Sequence, residues 1–224
     1  MIYIVMQKIQ NTSFYNKDKN QLLPVVILKT ESMKVLTFVK KEDGSFQIRI
    51  GYFPIVENKL KNYNSSYLNS YDQKNRGFFK IIKEFNIKKD RVENLSEVIN
   101  ILEKSYNDNS NIDIQDIVKT DFVKATGYAK GRGFMGNIKR HNFGIQGRNC
   151  VSATHRASGS TGSRKPSRTF PGRKMPGREN YKTSVKSLKV HSFNKENNCL
   201  FIIGSVPGNN GAMLTITPNF FPKK

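Results

Sequence analysis

Between Lys124 and Lys189, sixteen Lys and Arg side chains stand against one acid, Glu179, which gives that stretch +15 of the chain's formal +21. Guanidinium and ammonium groups neutralise phosphates, Arg also stacks on bases, and interspersed glycine lets the backbone come close to a sugar-phosphate chain. The stretch reads Lys130-Gly131-Arg132-Gly133-Phe134-Met135-Gly136-Asn137-Ile138-Lys139-Arg140-His141-Asn142-Phe143. Thr154 to Gly162 follows, then Phe170-Pro171-Gly172-Arg173-Lys174-Met175-Pro176-Gly177. Phe134, His141 and Phe143 supply rings of the kind that stack on unpaired bases in folded RNA. The candidate RNA contacts are Lys130, Arg132, Lys139, Arg140, His141, Phe143, Arg148, His155, Arg156, Arg164, Lys165, Arg168, Arg173, Lys174 and Arg178.

Other chemistries fit these residues poorly. Gly127-x-x-x-Gly131-x-Gly133 is glycine-rich, but no Gly-Lys-Ser/Thr follows and no strand-to-helix pattern surrounds it, which argues against a nucleotide phosphate loop. Cys150, His141 and His155 do not make four ligands at finger-like spacing. No carboxylate lies between Asp121 and Glu179 to orient a histidine or hold magnesium. Neither an enzyme, a cofactor, a metal nor a small-molecule substrate is therefore expected.

Something must position this basic segment, and it cannot do so itself. From Gly127 to Arg178 there are ten glycines and three prolines, with Phe134, Met135, Ile138, Phe143 and Phe170 scattered singly. Too little apolar surface is available to offset the entropy of ordering the segment, so alone it should be flexible.

The flanks carry the body. Residues 2–6, Val25–Thr30, Lys34–Val39, Phe46–Tyr52 and Phe79–Ile87 are short β-branched or aromatic runs, and Asp43-Gly44 is a hairpin signal. Ser184–Phe193, Cys199–Val206 and Met213–Thr217 resume the pattern after the arm. Residues 1–123 carry only +4, so the polyanion contact is local. The division expected is a mainly β body, residues 1–126 and 183–224, interrupted by a basic irregular extension, residues 127–182. One short helix is expected, with Leu95, Val98, Ile99, Leu102 and Tyr106 on one face and Asn94 as its cap. That apolar face offers a surface for docking on a neighbouring protein. No run of about 18 apolar residues exists to span a bilayer, and no signal-peptide pattern opens the sequence. Cys150 and Cys199 are read as two free thiols in a reducing compartment.

The arm's motifs resemble the universal family of ribosomal protein three of the large subunit, in its bacterial and organellar form. The similarity lies in Lys130-Gly-Arg-Gly-Phe-Met-Gly136, Lys139-Arg-His-Asn-Phe143, His155-Arg-Ala-Ser-Gly-Ser-Thr-Gly162, Gly172-Arg-Lys-Met-Pro-Gly177 and Gly204-Ser-Val-Pro-Gly208, in that order. It extends to Met1–Thr30, to Asp43-Gly44 through Gly51, and to Glu84-Phe85. Residues from about Asp90 to Asp113 look like an insertion relative to a typical bacterial member.

The resemblance implies a β-barrel body that binds large-subunit ribosomal RNA and sits among neighbouring ribosomal proteins. It also implies an extension reaching toward the peptidyl-transferase centre, with its tip around Ser158–Arg168. It further implies a role in assembly, with catalysis left to RNA. Bacterial members often carry a methylated glutamine at the tip, where this chain has Ser163-Arg164-Lys165-Pro166-Ser167. The wealth of Asn, Lys, Ile, Tyr and Phe looks like an AT-rich genome and points to a mitochondrial ribosome, with a plastid or a bacterial cytoplasm as alternatives. The rival function is a non-ribosomal RNA-binding or RNA-chaperone module.

Overall fold

The computed structural model describes residues 3–17, 20–55, 58, 60, 77–87, 96–118, 120–145, 147, 149 and 155–218. In chain order the first strands are β1 (Ile4–Asn16), β2 (Gln21–Lys29), β3 (Met33–Lys40), β4 (Phe46–Pro54) and β5 (Phe79–Ile87). Helices α1 (Ser96–Asn107) and α2 (Ile114–Ile117), then β6 (Phe122–Tyr128), β7 (Phe134–Met135) and helix α3 (Asn137–His141), lead into the arm. Strands β8 (Gly177–Arg178), β9 (Lys182–Asn194), β10 (Cys199–Ile203) and β11 (Met213–Pro218) complete the described elements.

Six strands close a barrel in the order β1-β11-β6-β9-β10-β2. Closure follows from period-two patterning, which sends alternate side chains inward. Leu214 and Ile216 of β11, Leu200 and Ile202 of β10, Val123 and Ala125 of β6, and Ile4 and Met6 of β1 are all buried. Each fully buried large aliphatic side chain contributes about 1.5–3 kcal/mol, and closing the barrel removes the unpaired edges that would otherwise invite aggregation. The register is set by pairs such as Ile4 opposite Ile216 and Leu200 opposite Leu28.

β1 runs far beyond the expected 2–6. Its outer half, Gln10–Asn16, is polar apart from Phe14 and Tyr15, yet it pairs with β2 from Gln10↔Ile27 to Asn16↔Gln21. A bulge between Lys8 and Gln10 shifts the register there. Lys8 itself is buried, and its Nζ donates to the carbonyls of Val206 and Gly208 at 3.3 and 3.1 Å. A buried ammonium needs such oxygens. They fix the Gly204–Gly208 loop against β1, a tie that residue type alone did not reveal.

β3, β4 and β5 form a separate three-stranded sheet, so three of the expected strands are not staves of the barrel. Asp43-Gly44 makes the turn between β3 and β4, with Gly44 at φ 72° and its N–H donating to Lys41 O at 3.0 Å. The Tyr52 hydroxyl donates to Tyr3 O at 2.8 Å, tying this sheet to the chain entering β1. Burial, with a smaller contribution from Tyr3, pushes the Tyr52 phenol well above its ordinary range. On β4 and β5, Arg49 meets Glu84 at 2.9 Å, and the Arg49 and then the Gln47 hydrogen bond hold that carboxyl below its usual range. Such an exposed pair sets cross-strand pairing more than stability.

α1 forms close to where the apolar spacing places it, and Val98, Ile99 and Leu102 are buried in the common core. Its apolar face packs on β3 and the core of its own unit, so the reading of that face as a docking surface for another protein does not hold. Asn94 and Leu95 lie outside the described residues. Ile112 bridges back to Met33, its N–H donating at 2.9 Å. Cys199 is a free, half-buried thiol that burial pushes up against the opposing effect of Lys29; Cys150 lies outside the described residues.

The chain divides into two compact units: Met1–Gly127 with Thr183–Lys224, and Tyr128–Lys182. Gly127 closes the first stretch. A Cβ there would lie 2.3 Å from Leu214 Cδ2, so the strand leaving the barrel passes too close to the core for any side chain. Across the exit and return strands, Thr126 Oγ1 and Ser184 Oγ share a hydrogen bond of 2.8 Å.

Candidate nucleic-acid interface

The unit Tyr128–Lys182 begins as a two-stranded stem. Ala129 N–H donates to Tyr181 O at 3.0 Å, Arg132 N–H to Glu179 O at 3.4 Å, and Glu179 N–H to Gly133 O at 3.2 Å. The stem ends in β7 and β8, where Phe134 faces Arg178 and Met135 faces Gly177. α3 follows directly and stops at Asn142, which adopts a left-handed conformation at φ 56°, ψ 41° and donates its N–H to Ile138 O. Asparagine tolerates that conformation better than most residues.

Two of the candidate contacts turn back onto the protein. Arg140 Nη1 donates to Met175 O at 2.8 Å, and His141 Nε2 lies 3.0 Å from the same oxygen. Together they clamp the returning strand to α3. A guanidinium has five N–H donors, so Arg140 retains others for a phosphate. Gly177 makes the clamp possible, because a Cβ there would sit 2.7 Å from Arg140 Nη1. Gly177→Ala is expected to push that guanidinium, the end of a flexible chain, off the Met175 carbonyl. The loss is one hydrogen bond of roughly 0.5–1.5 kcal/mol, local to the arm. Hydrogen exchange should show the Glu179 amide opening several-fold faster while the barrel melts as before; unchanged exchange would mean the clamp carries no stability.

Arg132 meets Glu179 at 3.4 Å, with side chains 65% and 17% exposed. That loose contact occupies the segment's single acid, so the remaining cations keep their charge unneutralised by side chains of their own unit. Lys130, Lys139, Arg156, Lys174 and Arg178 are exposed, as are His155, Arg164, Lys165 and Arg168. Arg140, His141 and Phe143 are half-buried, with the His141 and Phe143 rings 6.1 Å apart. Arg148 lies outside the described residues.

The tip is held by backbone and hydroxyl contacts. Ser160 Oγ donates to Gly162 O at 3.0 Å, Ser167 Oγ to Arg164 O at 3.1 Å, and the Arg173 guanidinium to Ser160 O. The Lys165–Pro166 peptide is cis. The Arg168 guanidinium stands 5.5 Å over the Phe170 ring, a cation–π pair. Met135 and Asn137 are the buried residues among those described in this unit.

Phe134, Met135, Gly136, Ile138, Lys139 and Arg156 surround a cleft of about 300 Å³. Sequence reasoning named Phe134, Lys139 and Arg156 separately; that they share one cleft was not legible, because Arg156 is brought there from a distant part of the chain. Met135, Gly136 and Ile138 carried no signal beyond membership of the same run.

Between the barrel strands β6 and β9 the chain inserts a basic hairpin with a single acid, a charge distribution suited to a polyanion. The chain's relatives give this class of protein a name. A model of the family described as Ribosomal protein L3 matches residues 70–199. The chain is 34% identical to the large ribosomal subunit protein uL3c of Phaeodactylum tricornutum, over 98% of this chain and 99% of that one. It is 32% identical to the uL3c protein of Cyanophora paradoxa, over 96% and 97% of the two chains. It is also 32% identical to the large ribosomal subunit protein uL3 of Finegoldia magna, over 95% of each. The chain belongs to the Ribosomal protein L3 family.

Proposed function

We propose that this chain is a structural, non-catalytic constituent of the large ribosomal subunit, which binds the large-subunit RNA, assists its assembly and braces the peptidyl-transferase region with the arm's tip. The carrying observation is the arm itself: exposed cations mounted on a stem that buries almost nothing and whose one acid is already engaged. Phosphates are the partner that balances such a surface. The division of labour is a barrel unit that folds on its own core and an extension, residues 127–182, that RNA completes. Lys130, Lys139, Arg156, Lys174 and Arg178 anchor that extension, and Arg140 and His141 shape it while reaching RNA with their remaining donors.

Membership of a family with bacterial and uL3c relatives supports a ribosomal location, and the Asn- and Lys-rich composition favours an organellar, mitochondrial ribosome. Among the described residues no helix is long and apolar enough to cross a membrane.

Sedimentation of a tagged chain through a density gradient tests the reading. The chain should travel with large subunits in near-stoichiometric amount and stay there at moderate salt. Recovery with small RNA complexes instead, and not with large subunits, would favour a free RNA chaperone and overturn the proposal.

A further inference from the structure

We propose that the cleft between β7 and α3 captures one unpaired nucleotide, its base stacked on Phe134 and its phosphates held by Lys139 and Arg156. This rests on the RNA-binding reading and deepens it, since it assigns one ring and two cations to a single nucleotide, where the sequence offered Phe134 only as one of three rings able to stack on bases.

Four observations carry it. The first is the Phe134 ring, which is 72% exposed on a short strand, in a unit whose buried residues among those described are Met135 and Asn137. A large apolar ring left in water so close to the few buried side chains offers a π-face to any base. The second is the space: about 300 Å³, with Met135 and Ile138 as apolar lining. Gly136 adds none of its own bulk, and a Cβ built there would meet nothing within 4 Å. The third is charge. The two cations in the lining, Lys139 and Arg156, are both exposed, so a nucleotide entering the cleft meets two positive charges. An acidic peptide would also satisfy the cations, but it would leave the ring and apolar lining without a stacking partner.

The fourth is Asn137, between two lining residues in sequence. It is 3% exposed, and among the described residues neither its Nδ2 nor its Oδ1 has a hydrogen-bond partner. Buried amides are normally satisfied, and an orphan calls for a missing partner. Asn137 does not line the cleft and both atoms are closed to solvent, so pairing with a base edge, which presents donor and acceptor together, requires the side chain to turn outward as the nucleotide enters.

Stacking and phosphate contact respond differently to salt, which makes the two halves of the proposal separable. The full-length chain is titrated with a transcript of its large-subunit RNA at several salt concentrations. Phe134→Ala should weaken binding by roughly 5- to 150-fold with the salt slope unchanged, and Phe134→Tyr should restore it. Lys139→Gln and Arg156→Gln should each flatten the slope by about one unit. In the wild type, ultraviolet crosslinking should join the Phe134 peptide to a single nucleotide that chemical probing reports as unpaired, and Phe134→Leu, which keeps an apolar side chain but no ring, should lose that crosslink. Full RNA affinity of Phe134→Ala, or a crosslink to paired nucleotides, overturns the base-capture proposal while leaving the RNA-binding reading intact. Reduced occupancy of Phe134→Ala in large subunits with undiminished affinity for RNA would assign the ring to a protein neighbour and overturn it too. Absence of RNA binding by the wild type would sink the underlying reading instead.

Discussion

Trypsin is expected to cut the RNA-free protein between residues 128 and 182 at least about a thousandfold faster than within the barrel. Cleavage of a folded chain follows the population of its opened form. Opening the barrel unit exposes Ile4, Met6, Leu28, Leu200, Ile202, Leu214 and Ile216 together with the core that α1 covers, so it costs the global stability. Opening the arm costs a few hydrogen bonds in the stem, the Met175 clamp, and the burial of Met135. Lys130, Lys139, Arg156, Arg164, Arg173 and Lys174 supply the cleavage sites. Adding large-subunit RNA at about a hundred times its Kd should slow arm cleavage about a hundredfold and leave the barrel's rate alone. An arm that resists as firmly as the barrel without RNA would show that its own contacts suffice to order it.

The charge that drives this behaviour was legible from the sequence because it is a matter of composition, which needs no fold. β10 and β11 were legible for a related reason: Cys199–Ile203 is an unbroken apolar run, and Leu214-Thr215-Ile216-Thr217 alternates, with Leu200, Ile202, Leu214 and Ile216 buried. β6 was not, because it turns Val123, Ala125 and Gly127 inward, and small residues at a tight barrel position carry no hydrophobic signal. The outer half of β1 escaped for a different reason. It is mostly polar, with Phe14 and Tyr15 on opposite faces, so no alternation marks it as a strand, and its hydrogen bonds come from pairing with β2. Where a strand pairs is also a nonlocal matter, which is why β3, β4 and β5 could be foreseen as strands and not as a sheet of their own. The same limit applies within the arm. Arg140 and His141 read as RNA contacts by type, yet they grip a carbonyl 35 and 34 residues away. Gly177 reads as a flexible residue, and its position shows it to be the space that Arg140 needs.

Replacing Lys130, Lys139, Arg156 and Lys174 by Gln together is expected to reduce the slope of log affinity against log salt by about 3 to 4 and to weaken RNA binding at least about a hundredfold at physiological salt. These four are exposed, and each phosphate they neutralise releases counterions. Arg132 and Arg173 have Glu179 and Ser160 as internal partners, so their removal should cost arm geometry as well as charge. Deleting Ser163–Ser167 should behave otherwise. It removes only Arg164 and Lys165 from the set, together with the turn in which Ser167 donates to Arg164 O, so binding should fall modestly and the slope by no more than about two. The larger effect should appear in isolated large subunits, as altered chemical probing of reaction-centre RNA and slower peptide-bond formation at unchanged occupancy of the protein. The logic is that a tip with few charges adds little affinity, whereas a turn tied by Ser160, Ser167 and Arg173, once RNA has ordered the arm, can keep adjacent RNA in one shape. Loss of occupancy on deletion would make the tip an anchor, and full occupancy with unchanged rate and probing would make it dispensable; either outcome removes the division between anchoring stem and bracing tip.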